Sequence, residues 1–146
     1  MNKSEILQII QDKLSAKIEN LERLIAETRA SNNETKSSMG DKFETTREMV
    51  QQEINNLQIQ LNENANARNS LKLINVKPHQ MVGLGSLVQT DKGLFYIAVS
   101  LGEIIFDKKK IFVISTESPL AKELFGKKKN DEISLNNSKQ MILEIW

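Results

Sequence analysis

The stretch Val50-Gln51-Gln52-Glu53-Ile54-Asn55-Asn56-Leu57-Gln58-Ile59-Gln60-Leu61 places an aliphatic side chain at steps of 4, 3 and 4, with polar residues nearly everywhere between. That is the a/d spacing of a helix with one apolar seam. Upstream, Leu7, Ile10, Leu14, Ile18, Leu21 and Ile25 recur with the same helical period. Residues 1–72 contain no proline and a single glycine, Gly40, and are rich in good helix formers. The two amphipathic helices are separated by the polar, helix-weak segment 31–40. In an antiparallel hairpin, facing residues have position numbers with a constant sum. Ile25 with Val50, Leu21 with Ile54, Ile18 with Leu57 and Leu14 with Leu61 all give 75, which predicts a reversal at Ser37-Ser38. Each buried aliphatic side chain contributes about 1.5–3 kcal/mol, enough over four layers to hold such a hairpin. A helix over residues 5–36 would be about 48 Å long.

The period changes beyond position 73. Pro78 ends any helix, and Val76-Lys77-Pro78-His79 reads as a linker or leading strand. Short β-type runs follow at 86–90, 94–99 and 111–115, with Asp91-Lys92-Gly93 turning the first two. Ser118-Pro119-Leu120-Ala121-Lys122-Glu123-Leu124-Phe125-Gly126 reads as a short helix, capped by Ser118, started by Pro119 and stopped by Gly126. Strands at 132–135 and 140–145 are turned by Asn136-Asn137-Ser138. The expected fold class is α+β, with an antiparallel helical hairpin (a coiled coil) over 1–74 and a small antiparallel β domain with one short helix over 75–146.

Composition removes several chemistries. The 146 residues include no cysteine, which excludes thiol nucleophiles, disulfides and cysteine-ligated metal sites. The single histidine, His79, excludes sites that need two and reads as a linker residue. Twenty Lys+Arg against 19 Asp+Glu argue against a uniformly basic nucleic-acid binder. The balance is also local, with 10 basic and 11 acidic residues in 1–72, and 10 and 8 in 73–146. The lysine triplets 108–110 and 127–129 read either as solvated turns or as a weak contact with an acidic partner. No run approaches the roughly 20 apolar residues of a membrane span, and the first residues lack a signal-peptide pattern. A soluble, cytoplasmic chain without a membrane partner is the expectation.

Two regions resemble the Gre family of bacterial transcript cleavage factors. One runs from Val82-Gly83-Leu84-Gly85-Ser86-Leu87-Val88 to the string Ile114-Ser115-Thr116-Glu117-Ser118-Pro119-Leu120-Ala121-Lys122-Glu123-Leu124-Phe125-Gly126-Lys127, followed by Asn130-Asp131-Glu132. The other is Gly40-Asp41-Lys42-Phe43-Glu44-Thr45, where the family carries Gly-Asp, two residues and Glu-Asn at the tip of its hairpin. The resemblance covers essentially the whole chain in the family's order. It implies an FK506-binding-protein-like (FKBP-like) second domain used for docking, with the hairpin tip near 36–45. It also implies a transcription elongation factor, not itself an enzyme, that enters the secondary channel of RNA polymerase. There its tip stimulates the polymerase's own Mg²⁺-dependent cleavage of backtracked RNA.

By the resemblance, Asp41 and Glu44 are the catalytic, metal-holding carboxylates and Mg²⁺ is the cofactor, shared with the polymerase. The chemistry agrees: Mg²⁺ takes about six oxygens, so two carboxylates complete a site only when a partner and substrate supply the rest. Asp41 and Glu44 stand at i and i+3 and share a face if the second helix already runs through them. Acids at a helix N-terminus also have a purely electrostatic explanation. Glu117, Ser118 and Pro119 match the family's segment that contacts the channel rim, and local capping of the short helix explains the same residues. Lys36, Lys42, Phe43 and Arg47 lie near the tip and are candidates to contact the RNA 3′ segment. Phe43 is equally read as a tip-packing residue. The chain departs from the family at Thr45, where Asn is expected, and in lacking an aromatic just after it. A non-catalytic channel regulator and a coiled-coil adaptor are therefore the alternatives. A monomer is expected, because an intramolecular hairpin buries its seam without a second chain.

Overall fold

The computed structural model describes residues 1–36 and 44–146, with side chains described for 1–31 and 46–146. The expected reversal at Ser37-Ser38 lies outside them. Two long helices come first, α1 (Lys3–Lys36) and α2 (Glu44–Ser70), followed by a 3-10 turn (Leu71–Leu73). Then come β1 (Leu87–Thr90), β2 (Gly93–Ala98), β3 (Gly102–Phe106), β4 (Lys109–Ser115), α3 (Pro119–Leu124), β5 (Glu132–Leu135) and β6 (Ser138–Ile145). This is the expected α+β order of helical hairpin, then sheet with one short helix. The described chain forms two compact units, one of Lys13–Arg68 and one of Met1–Asp12 with Asn69–Trp146. Among the described residues no helix is long and apolar enough to cross a membrane.

In the hairpin unit, Leu14, Ile18, Leu21 and Ile25 of α1 and Ile54 of α2 are buried. Val50, Leu57 and Leu61 are half-buried. These are the eight seam residues that the periodicity picks out. Outside the seam, side chains bond along their own helix, as in Gln51 to Asn55, Gln58 to Asn62 and the Arg23–Glu27 ion pair. Such pairs add only about 0.2–0.5 kcal/mol each. Lys17, Asn20 and Leu21 of α1 line one shallow groove with Gln60 and Asn64 of α2. A seam stepping by 4, 3 and 4 offers an apolar partner again after a slip of one turn, so periodicity alone does not fix the register.

The second unit is built on a six-stranded sheet of order β3-β4-β2-β1-β6-β5. Neighbours pair antiparallel except β2 and β4, which run parallel. The expectation was five antiparallel strands. The unexpected one is β3, and it accounts for the parallel pair. It inserts one more reversal between β2 and β4, so β4 returns in the direction of β2. Asp107 and Lys108 turn β3 into β4 with φ of 50° and 62°. Asn136 and Asn137 turn β5 into β6 with φ of 52° and 64°. Both are two-residue hairpin turns with positive φ at each position, which follow the twist of the strands.

The central strand β2 is buried along Leu94-Phe95-Tyr96-Ile97-Ala98. On one face Val88, Ile97, Ile133, Ile142 and Ile145 pack with Ala121 and Leu124 of α3 and with Val82. The first turns of α1 belong to this unit, and Ile6 and Ile10 are fully buried in it. Gly85 is required for two reasons. Its φ is +87°, and a Cβ there would stand 2.9 Å from Ile74 Cγ2 and 3.0 Å from the Asn75 carbonyl oxygen.

Two ionisable side chains, one buried and one half-buried, are held by hydrogen bonds in the β unit. Lys3 is 4% exposed, and its Nζ donates to the main-chain oxygens of Lys77 (2.8 Å) and Trp146 (3.1 Å). Burial pulls its pKa down to about 8. His79 Nδ1 and Ser86 Oγ are hydrogen-bonded at 2.5 Å, and Ser86 Oγ also accepts from Gly83 N–H. Burial, and then the charge of Lys3, hold the His79 pKa below 6.5. The Tyr96 hydroxyl is buried without a hydrogen-bond partner among the described residues, and burial pushes its pKa up to about 12.

Two stability outcomes follow. Tyr96→Phe removes an unpaired buried hydroxyl and should raise the unfolding free energy by about 1 kcal/mol in urea titrations. His79 binds its proton less readily folded than unfolded, so its contribution to stability falls as pH drops through 6.5. His79→Gln should flatten the pH dependence of unfolding between about pH 7 and 5.5.

Candidate functional site

Helix α3 is the element on which the described part of the site is built. It has six residues, too few to stand alone. Its start is fastened to the end of β4. Ser118 N–H and Ser118 Oγ both donate to the Ser115 carbonyl, at 3.1 and 2.9 Å. Ser118 has extended φ/ψ of −67° and 148°, and its Oγ accepts from Ala121 N–H at 3.2 Å. Pro119 follows at the first helical position, where its missing N–H costs nothing. Ala121 and Leu124 point into the core at 0% exposure.

The outcome is a rigid helix start with Glu117 and Pro119 turned to solvent. The Glu117 carboxylate lies 3.8 Å from Lys122 Nζ, but both side chains are largely exposed. Such pairs are worth about 0–1 kcal/mol, so Glu117 stays available to a partner. Glu117, Ser118 and Pro119 are thus together, with Ser118 occupied in capping and its two neighbours presented outward.

The hairpin residues fall elsewhere. Asp41, Lys42 and Phe43 lie outside the described residues, and of Lys36 and Glu44 only the backbone is described. Lys36 is the last residue of α1 and Glu44 the first of α2. The shared helical face expected for Asp41 and Glu44 therefore also lies outside the described residues. Arg47, in the first turn of α2, is half-buried, and its Nε has no hydrogen-bond partner among the described residues. Among the described residues no group of three or more histidines and carboxylates could hold a metal. The donor chemistry of Asp41 and Glu44, two hard oxygen ligands, suits Mg²⁺ and leaves most of its coordination to others.

Sequence reading missed the exposed apolar side chains that flank the far end of α3, Met81, Leu84 and Phe125. The one signal for them was the stop at Gly126, which leaves Phe125 as the C-cap, beyond the last turn that packs inward.

No family model matches the chain, and no curated protein matches it. Solved structures with a similar course include one described as the transcription factor Gfh1, at 16% identity and a TM-score of 0.39, with 92% of each chain covered. GreA factor homolog 1 of Thermus thermophilus is 18% identical at a TM-score of 0.39, covering 93% of this chain and 94% of that one. Gfh1 of Thermus aquaticus is 17% identical at 0.36, with 92% of each chain covered. At TM-scores below 0.5 these likenesses carry no functional argument.

The cap and the acid should separate experimentally. Ser118→Ala should lower the unfolding free energy by about 1 kcal/mol. Glu117→Lys should leave it within about 0.5 kcal/mol of the wild type, as an exposed substitution does. Chemical denaturation of both variants checks this.

Proposed function

We propose that this protein is a cytoplasmic transcription elongation factor that binds RNA polymerase through its secondary channel and stimulates Mg²⁺-dependent cleavage of backtracked RNA. The observation that carries the reading is a pair of long helices in one chain, Lys3–Lys36 and Glu44–Ser70, with Asp41 between them in sequence, followed by a β unit with Glu117 and Pro119 exposed on a capped helix. A hairpin closed within one chain does not need a second copy to bury its seam, which favours a monomer over a dimerising adaptor.

In this reading the β unit is an FKBP-like docking module, and Glu117 and Pro119 meet the channel rim. Asp41 and Glu44 add carboxylate oxygens to a Mg²⁺ whose other ligands belong to the polymerase and the RNA. That metal, when held, activates a water and steadies the leaving oxygen. The protein's own residues position the ion and do not form an active site alone, so the chain is not an enzyme. Lys36, Lys42, Phe43 and Arg47 line the approach to the RNA 3′ segment.

A second reading, a regulator or inhibitor that occupies the same channel without cleavage, is favoured by one observation. Thr45 stands where the resembling family has Asn, and no aromatic follows it.

The test uses a stalled, backtracked elongation complex with Mg²⁺. The wild-type chain should shorten the RNA, and Asp41→Ala/Glu44→Ala should abolish shortening while still binding polymerase. Shortening that survives the double substitution sinks the cleavage reading. Binding without shortening by the wild type favours the regulator.

A further inference from the structure

The far end of α3 is held as firmly as its start, and it presents both apolar and cationic side chains. Gly126 N–H donates to the Val82 carbonyl and Val82 N–H donates to the Lys127 carbonyl, both at 2.9 Å. Met81 and Lys128 then pair as an antiparallel bridge. Val82 itself is buried in the core. Met81 and Val82 are thereby fixed beside residues 126–128, with Gly83 and Leu84 next along the chain.

Three large apolar side chains stand out of this surface: Met81 at 50% exposure, Phe125 at 45% and Leu84 at 38%. Two glycines belong to it, Gly83 and Gly126, and a Cβ at either would meet nothing within 4 Å. The backbone there is open to an incoming side chain. The φ of +79° at Gly126 favours glycine there.

Lys127 and Lys128 are exposed beside these groups. Their neighbour Lys129 is engaged with Glu144 at 3.1 Å, and Lys110, Lys122 and Lys139 each have a carboxylate within 4 Å. Among the described residues Lys127 and Lys128 have no such ion pair. Asp131, the nearest acid in sequence, spends its carboxylate on the Lys128 backbone N–H at 2.8 Å. Apolar anchors around an open floor, with unpaired cations at one side, match an acidic partner segment carrying an apolar side chain. A phosphate backbone suits the lysines but has no use for Met81, Leu84 and Phe125. The apolar groups favour protein.

We infer that Met81, Leu84, Phe125, Lys127 and Lys128 form a docking surface for an acidic, apolar-anchored protein segment. Resting on the elongation-factor reading, that segment belongs to RNA polymerase. The surface is separate from Glu117 and Pro119 and extends the contact to the other end of α3.

The experiment measures binding of core RNA polymerase to the labelled full chain by fluorescence anisotropy, at low and high salt. Lys127→Glu/Lys128→Glu should weaken binding about tenfold at low salt and less at high salt. Phe125→Ser should weaken it about tenfold at both. Lys108→Glu/Lys109→Glu, an equal charge change on the β3–β4 hairpin, should leave it unchanged. Thermal unfolding matching the wild type checks the fold, and Met81→Lys replaces Phe125→Ser if that variant melts early. Wild-type affinity in all these variants overturns the inference and leaves the elongation-factor reading standing. No polymerase binding by the wild type overturns both. Binding of a single-stranded RNA oligonucleotide that Lys127→Glu/Lys128→Glu abolishes also overturns it, by assigning the lysines to nucleic acid.

Discussion

The six residues of α3 do not form a helix on their own account, and most of what the second unit can present depends on how they are held. Nucleating a turn fixes several dihedrals for one hydrogen bond, so a helix this short exists only where its surroundings pay that cost. Here both ends are tied. The Ser115 carbonyl receives two bonds from Ser118 at the start. At the finish, Val82 exchanges bonds with Gly126 and Lys127. Between the ties, Ala121 and Leu124 fill the core against Val88, Ile97 and Ile133. Each tie reaches back into the sheet. Ser115 ends β4 and pairs with Ala98 of the buried central strand, while Val82 belongs to the same apolar cluster as Ile97. The exposed residues at either end of α3 therefore inherit the rigidity of β2.

That dependence explains which parts were legible in the sequence. Ser118, Pro119 and Gly126 are local signals with local mechanisms, and the helix formed where they said. Asn136-Asn137 also announced its turn, because Asn tolerates positive φ. Asp107-Lys108 adopts the same backbone with residues that advertise it less, and the lysine run hid it. Strand β3 was lost with its turn. It is an edge strand in which only Ile104 is fully buried, while Ile105 is exposed, so the alternation that marks a strand is weak. Missing one strand then reversed the direction assigned to β4, because strand direction depends on parity along the chain and not on anything in β4 itself.

The hairpin shows a different limit. Its seam residues were all identifiable, since burial follows the helical period. Its register was not, because Val50, Ile54, Leu57 and Leu61 nearly superpose on themselves after a shift of one turn. Registers are specified by irregularities, such as a buried polar pair, and among the described residues this seam has none. Lys3 illustrates the converse. A lysine in the first turn of a polar helix reads as solvated, yet two carbonyl groups from residues 74 and 143 positions away enclose it. Contacts that far apart in sequence leave no local mark.

A chain with one histidine, no cysteine and near-zero net charge has little chemistry of its own, so what its surface can do rests on where its charged groups are held. Along α3 the arrangement is directional. Glu117 stands just before its start and Lys127 and Lys128 just after its finish, about 9 Å of helix apart. Each sign faces the helix terminus of opposite polarity, so the same placement that steadies the helix also gives its surface a sense. A partner laid along that surface meets an acid first and cations last, with Phe125 between. Reversing it would set like charges together at both ends. Two weak exposed charge sites contribute little affinity separately, but on one rigid segment they fix orientation.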